Sequence, residues 1–267
     1  MKKLFAILAI VAIALGSCKK DDPSSPSGSG SSGINVEQKN TGMYNKLTAT
    51  WCGPCGQWGW TLNESISDII GPNAVLMGTY ASSTSLMYNT TAAAFKTAFS
   101  PASGWPDFCA NGKQKTQVTT SGISAAQTKD SVVAEINRHV ASEVRANSGF
   151  TTKIEGDTLF ITSRAKFFKD MPAGSIFYLG AYVIEDGVLN TQNGQTGTVA
   201  HHHVLRGSAH ASTWGEQITS VTTNGSTFDY TFKMFIPTTW VRANLEVSTV
   251  IWEKIGSNYK FVNANKN

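Results

Sequence analysis

The chain has 267 residues, of which 22 are Lys or Arg and 18 are Asp or Glu. Lys2 and Lys3 sit in a leader, and without residues 1–17 the balance is 20 basic against 18 acidic residues. That near-neutrality points away from a nucleic-acid partner or an anionic surface. Charged residues make up 15% of the chain, below the usual quarter or so, and Ser, Thr, Gly and aromatic residues take their place, as in β-rich exported proteins.

The apolar run from Leu4 to Leu15 is too short to span a bilayer and reads as the core of a secretory signal. It ends in Leu15-Gly16-Ser17-Cys18, which resembles the bacterial lipobox. That resemblance implies a signal peptide over 1–17, lipidation at Cys18 and an anchor in the membrane; the alternative is an ordinary signal peptide with an incidental cysteine. Lys19-Lys20-Asp21-Asp22 is similar to the charged signals that send some Gram-negative lipoproteins to the cell surface, and reads equally as a solvated charge run. Residues 23–33 are all Ser, Gly or Pro and cannot bury apolar surface. Residues 18–33 are therefore expected to form a flexible tether reaching roughly 50 Å when stretched. The expected location is the cell envelope, lipid-anchored to the outer membrane on its periplasmic or outer side. No later segment is long and apolar enough to cross as a helix.

The first predicted strand is Tyr44–Thr48, and Trp51-Cys52-Gly53-Pro54-Cys55 follows it. Two cysteines two residues apart, with Pro just inside a helix start, make a candidate redox pair. The first thiol lies at the helix N-terminus, where free N–H groups and the macrodipole favour an anion. This lowers the thiol pKa, and the thiolate is the nucleophile of disulfide exchange. The second thiol is one turn later, within bonding reach. Two other readings stay open, a closed inert disulfide and half of a zinc site. Zinc would need two more ligands at matching spacing, and no second CxxC exists.

A helix is predicted over 54–70, with Trp58, Leu62, Ile66 and Ile69 or Ile70 on one face, stopped by Gly71-Pro72. A strand over 74–80 follows, then a helix over 85–99 burying Leu86, Phe95 and Phe99. Pro106 opens a strand that Asn111-Gly112 ends, with Cys109 buried in it as a packing residue. The last helix of this half is 125–146, with a stripe of Val133, Ile136, Val140 and Val144, and His139 on its solvent side.

The WCGPC motif, followed by Pro106 before a strand and by Asn111-Gly112 after it, resembles thioredoxin over residues 34–147. The resemblance implies Cys52 as attacking thiolate and Cys55 as resolving thiol. It implies that Pro106 and the backbone of Trp105 hold an extended substrate segment, and that Trp51 shields the sulfurs. The sequence departs from that pattern at three places. Lys46 stands where thioredoxins carry a buried acid that accepts a proton, Gly56 replaces the Lys after the second cysteine, and Trp60 replaces the proline that kinks the helix. A lysine near the pair depresses thiol pKa and favours the reduced form.

From Phe150 onward hairpin signals recur at Gly156-Asp157, Asp186-Gly187, Asn224-Gly225 and Gly256-Ser257-Asn258. Phe228, Tyr230, Phe232, Met234 and Ile236 form a period-two face. The expected fold is an α/β thioredoxin-like domain (34–147) followed by an antiparallel β-sandwich domain (148–267). His201-His202-His203 precedes Val204-Leu205-Arg206-Gly207, and His210 lies close by. On a strand His201 and His203 share a side; a hydrogen-bonded cluster is the expectation rather than a metal site. This His-rich strand running into Val-Leu-Arg-Gly, behind a CxxC domain, resembles the twenty-eight-kilodalton outer-membrane-protein family of lipoproteins.

Two functions follow. One is an envelope thiol–disulfide oxidoreductase, needing no cofactor or metal, whose partner is a protein disulfide or a reductant. The other is a non-enzymatic surface lipoprotein that binds a protein, peptide or glycan through its β half, with Cys52–Cys55 as a structural bridge.

Overall fold

The protein is described by a computed structural model that covers residues 33–101, 104–116, 118–119, 122–123 and 125–266. The expected signal peptide, Cys18 and all of the tether but Gly33 lie outside the described residues.

Strand β1 (Gly42–Thr48) leads into a single turn of helix, α1 (Gly53–Gly56), and then α2 (Trp58–Ile70). Strand β2 (Ala74–Tyr80) runs parallel to β1, with Gly42 opposite Ala74 and Thr48 opposite Tyr80. After α3 (Thr90–Phe99), strand β3 (Asp107–Ala110) lies antiparallel on the other edge of β1, and β4 (Lys113–Gln114) pairs with it. The short strands β5 (Val118–Thr119) and β6 (Gly122–Ile123) pair with each other, and α4 (Ala125–Val140) closes the first half.

The rest is strands apart from one 3-10 turn over Arg242–Asn244. They are β7 (Ala146–Glu155), β8 (Thr158–Phe167), β9 (Ile176–Glu185), β10 (Val188–Thr191) and β11 (Thr198–His201). Then come β12 (Val204–Ser208), β13 (Glu216–Gln217), β14 (Thr227–Phe235), β15 (Leu245–Ile255) and β16 (Asn258–Lys266).

The molecule is mixed α/β, built on one large sheet ordered β16-β15-β9-β12-β2-β1-β3-β4, with β13 beside β9. The joint is β12, antiparallel to β9 and parallel to β2, where Val204 faces Gly78. The Gly78 N–H donates to the His203 carbonyl at 2.7 Å. The expected boundary at 147/148 falls inside β7, and the large sheet holds strands from both sides of it. An unpaired edge on β2 would leave backbone groups without partners, and β12 satisfies it from the other half of the chain.

The three largest cores among the described residues follow from strand alternation. On one face of the sheet, Met43, Leu47, Val75 and Met77 join Phe95 and Phe99 of α3 and continue into Tyr182, Ile184, Leu205, Val250 and Trp252. On the other face, Tyr44, Leu76 and Phe108 are covered by Leu62, Ile66 and Ile70 of α2 and Val132 and Ile136 of α4. Farther along that face, Phe177, Leu179, Ala181 and Val183 of β9 pack on Leu159, Ile161 and Phe232 of the smaller β14-β8-β7 sheet. Strand β9 is thus apolar in both parities because both its faces are covered.

Several expectations are corrected. The single helix over 54–70 is broken at Gln57, whose φ/ψ of −88°/−111° are not helical. Helix α3 starts at Thr90 rather than 85, because Asn89 caps it by accepting from the Ala92 N–H at 2.9 Å. Leu86 therefore lies in the preceding loop and is 75% exposed, while Phe95 and Phe99 are buried as expected. Helix α4 ends at Val140, since Ala146 already belongs to β7. His139 is half-buried against the Phe261 ring, 5.1 Å between centroids, not on the solvent side. The turns at Gly156-Asp157, Asn224-Gly225 and Gly256-Ser257 fall between strands as expected, and Phe232 and Ile236 of the period-two face are buried.

Candidate functional site

Strand β1 delivers Ala49, Thr50 and Trp51 to the start of α1, where Cys52 is the N-cap residue. Cys52 and Cys55 form a disulfide, and the Cys55 N–H donates to the Cys52 sulfur at 3.2 Å. Pro54 fills the first turn, where a missing N–H costs nothing. Cys52 is 3% exposed and Cys55 fully buried, whereas Trp51 is 49% exposed. The Trp51 indole N–H donates to Ser82 Oγ at 2.9 Å, which fixes the ring.

Trp105 and Pro106 are brought to this place. Trp105 packs on Ala49, Cys52 and Cys55, with Lys96 Nζ 5.5 Å above its ring. The Trp105–Pro106 peptide is cis, and Pro106 is buried against Gly59, where a Cβ would meet Pro106 Cγ at 2.6 Å. Cys109 is a free, fully buried thiol in β3. Burial foremost, and Asp107 next, push its pKa well up, so it stays protonated.

Sequence reasoning missed the loop between β10 and β11. The Gln192 side-chain amide donates to the carbonyls of Ala49 (3.2 Å) and Cys52 (3.0 Å). The Asn193 N–H donates to the Thr50 carbonyl (2.8 Å), and its side-chain amide to that of Trp51 (2.9 Å). Gln195 Nε2 donates to the Gly56 carbonyl at 2.5 Å. The approach is so close that a Cβ on Gly56 would lie 2.1 Å from the Asn193 carbonyl oxygen. Gly194, at φ +93°, would place a Cβ 2.5 Å from the Gly53 carbonyl oxygen. The local signal is a Gly- and Asn-containing turn; nothing local says what it docks on.

Lys46, buried at 5% exposure, lies behind the pair. Its Nζ donates to the Cys55 carbonyl at 3.5 Å and stands 5.0 Å from the Trp60 ring centre. Burial lowers its pKa to about 8, with Glu64 opposing the fall. His201 reaches the same place from β11. Its Nδ1 is 2.5 Å from the Tyr80 hydroxyl, and its ring meets Trp60 edge-on at 5.4 Å. Burial lowers the His201 pKa to about 4.

His201, His202 and His203 border one cavity but make different contacts. His203 adopts φ +52°, which takes it out of the strand, and His202 Nδ1 turns to Asp186 Oδ1 at 3.0 Å. Among the described residues no group of three His, Cys, Asp or Glu side chains is arranged to hold a metal ion. Arg206 has a structural task, donating at 2.7 Å to Glu185, which is 2% exposed. No helix among the described residues is long and apolar enough to cross a membrane.

No protein-family model matches the chain, and no curated protein does. Among solved structures it is similar to HBP35 of Porphyromonas gingivalis, with a TM-score of 0.67 at 14% identity, covering 87% of this chain and 76% of that one. A domain of the outer membrane lipoprotein Omp28 from Porphyromonas gingivalis overlays with a TM-score of 0.32 at 16% identity, covering 46% of this chain and 86% of that one. The sporulation control protein Spo0M of Bacillus subtilis gives 0.27 at 13% identity, with 46% and 47% covered. The likeness to HBP35 shows a shared overall fold that extends over both halves of the chain.

Proposed function

We propose that this protein is a thiol–disulfide oxidoreductase working through Cys52 and Cys55, on a first half that is thioredoxin-like. Strand, turn and helix place the pair, with α2 and α4 on one face of the sheet and α3 on the other. The observation that carries the reading is the bonded pair at the head of a helix, with the Cys55 N–H on the Cys52 sulfur. A donor aimed at that sulfur favours its thiolate, the form that attacks or leaves in exchange. In this reading the Cys52 thiolate attacks a protein disulfide, giving a mixed disulfide and releasing one partner thiolate. Cys55 then attacks Cys52, closing the bridge and releasing the second partner sulfur. The backbone of Trp105 and Pro106 hold the incoming segment, and Trp51 guards the approach. The Leu15–Cys18 signal supports anchoring in the cell envelope through lipidated Cys18.

One observation favours a second reading. The Gln192–Gln195 loop covers the pair from the opposite half of the chain, as suits a structural bridge in a protein that binds a protein, peptide or glycan through its β-rich half. The test is the reduction potential of Cys52–Cys55 in the full chain, measured in glutathione buffers with mass-spectrometric trapping. A value of about −120 to −270 mV supports exchange. A value below about −300 mV, or a bridge reduced only on unfolding, supports the structural reading.

A further inference from the structure

The small sheet ends on β14, and among the described residues no strand pairs with its second edge. The ladder to β8 fixes which backbone groups that edge offers. At one end the Ile236 N–H donates to the Asp157 carbonyl at 2.8 Å, and at the other the Phe167 N–H donates to the Ser226 carbonyl at 3.0 Å. Bonded positions alternate along an antiparallel strand, so the even residues of β14 are taken up by β8. Thr227, Asp229, Thr231, Lys233 and Phe235 therefore turn their N–H and C=O groups to the open edge. All five are exposed. The edge runs for nine residues in unbroken register, without proline or bulge. Proteins ordinarily shorten, bend or cover such an edge. The ends of the large sheet are treated in that way. Strand β4 has two residues, and the Ala264 N–H of β16 is met by the Thr41 carbonyl from the chain before β1.

We propose that β14 pairs with the β14 of a second copy of this chain, antiparallel and centred on Thr231, so that the two small sheets run on as one. The inference is independent of the redox chemistry. It stands on a strand that complements itself about that centre, as a two-fold interface requires. Asp229 falls opposite Lys233 of the second copy, and Lys233 opposite its Asp229. Thr231 faces its own equivalent on the axis, and Thr227 faces Phe235. On the inner face Tyr230 falls opposite Phe232, and Phe228 opposite Met234, aromatic and apolar pairs of the kind that stabilise a ladder. Each of the five outward-facing residues gains partners for both its backbone groups.

Other registers lose the match. Centred on Asp229 or on Lys233, the strand sets a charge against its own like. Centred on Tyr230 or Phe232, it sets both charges opposite uncharged residues. Opposite charges directly across a ladder stabilise it, and like charges do the reverse. An edge carrying one sign of charge would repel its own copy, whereas this one carries one of each sign, equally far from Thr231. The groups are also held where a second strand would meet them. Asp229 accepts from Arg164 at 2.7 and 2.8 Å, and a carboxylate has lone pairs for a further donor. Lys233 Nζ lies 5.3 Å from the centre of the Phe160 ring on the neighbouring strand.

The test follows the full chain by sedimentation velocity over a concentration series, where the wild type should show a concentration-dependent dimer. Thr231→Pro removes an outward N–H at the centre and spares the ladder to β8, a place where an edge strand tolerates proline. It should abolish the dimer. Lys233→Asp sets like charges across both ionic pairs and should weaken dimerisation by about tenfold or more. Mixed with Asp229→Lys, whose own copies repel in the same way, it should recover the dimer. Thr231→Cys should cross-link on mild oxidation, because residues facing each other across the axis stand about 5.5 Å apart between Cα atoms, within disulfide reach. Lys233→Cys should not. A wild type that stays monomeric at every concentration overturns the inference and leaves the edge to a strand of a different protein. A dimer that neither Thr231→Pro nor Lys233→Asp weakens overturns it as well. Circular dichroism checks that each variant is folded, and the charge variants and the cross-link decide the matter if Thr231→Pro is not.

Discussion

The side-chain amide of Gln192 donates to the carbonyl of Cys52 across 140 positions of sequence, at 3.0 Å. A turn in the β-rich half is thereby fastened to the first cysteine of the bonded pair. The contact is to backbone, so it depends on the shape of the Cys52–Gly56 turn and not on the identity of its side chains.

Releasing the loop should expose the bridge. Gln192→Ala with Asn193→Ala removes the side-chain bonds to Ala49, Cys52 and Trp51. Each is worth about 1 kcal/mol, so reduction by a water-soluble phosphine should quicken by roughly tenfold or more. Alkylation followed by mass spectrometry at timed points measures it, and an unchanged rate would mean that the loop does not limit access.

Gly56 offers a steric version of the same test. Gly56→Ala drives a methyl into the Asn193 carbonyl and should cost about 1–3 kcal/mol, the usual range for overpacking. Gly71→Ala is the control, since nothing lies within 4 Å and the backbone there is helical. It should be neutral or stabilising by up to about 1 kcal/mol. Urea unfolding of the two variants gives both numbers.

Lys46 makes stability depend on pH in a calculable direction. Its folded pKa of about 8 lies below the ordinary 10.5, so between those values the unfolded chain holds more protons and stability rises with pH. Relative to Lys46→Met, the wild type should gain roughly 2 kcal/mol on going from pH 7 to pH 10. Denaturant midpoints of both proteins at the two pH values check the sign, and a difference that does not change with pH would show that Lys46 titrates normally.

Glu185 accepts from Arg206 and also from the Val241 N–H at 2.8 Å, all within the protein. Glu185→Ala would leave the Arg206 guanidinium half-buried against the Trp240 ring without its counter-ion. Thermal or urea unfolding should show a loss of about 3 kcal/mol or more, and a smaller one in Glu185→Gln, which still accepts from Val241.

The elements written in local pattern were readable in the sequence. Strand β2 occupies the expected 74–80, because an apolar run after Gly71-Pro72 has few alternatives. The hairpin turns followed from their Gly and Asn residues. That Cys52 and Cys55 lie within bonding reach and that Cys109 is buried were also legible, each from a short motif. What failed was long-range. Nothing near Gly78 announces that Val204 will pair with it, so the strand that joins the two halves of the sheet was not legible. The break at Gln57 follows a Gly56 that the Asn193 backbone crowds, a cause lying far along the chain. His139 looked solvent-facing because its partner surface, Phe261 and Asn263, arrives from the last strand.

The fastening of Gln192 to Cys52 also sets an order of assembly. A chain made or exported N-terminus first presents Cys52 and Cys55 before the turn that will enclose them exists. During that interval the two cysteines lack the cover that the later turn supplies. In the finished molecule the surroundings of Cys52 are therefore shared between Trp105, which packs on the pair from the first half, and residues 192–195, which arrive from the second.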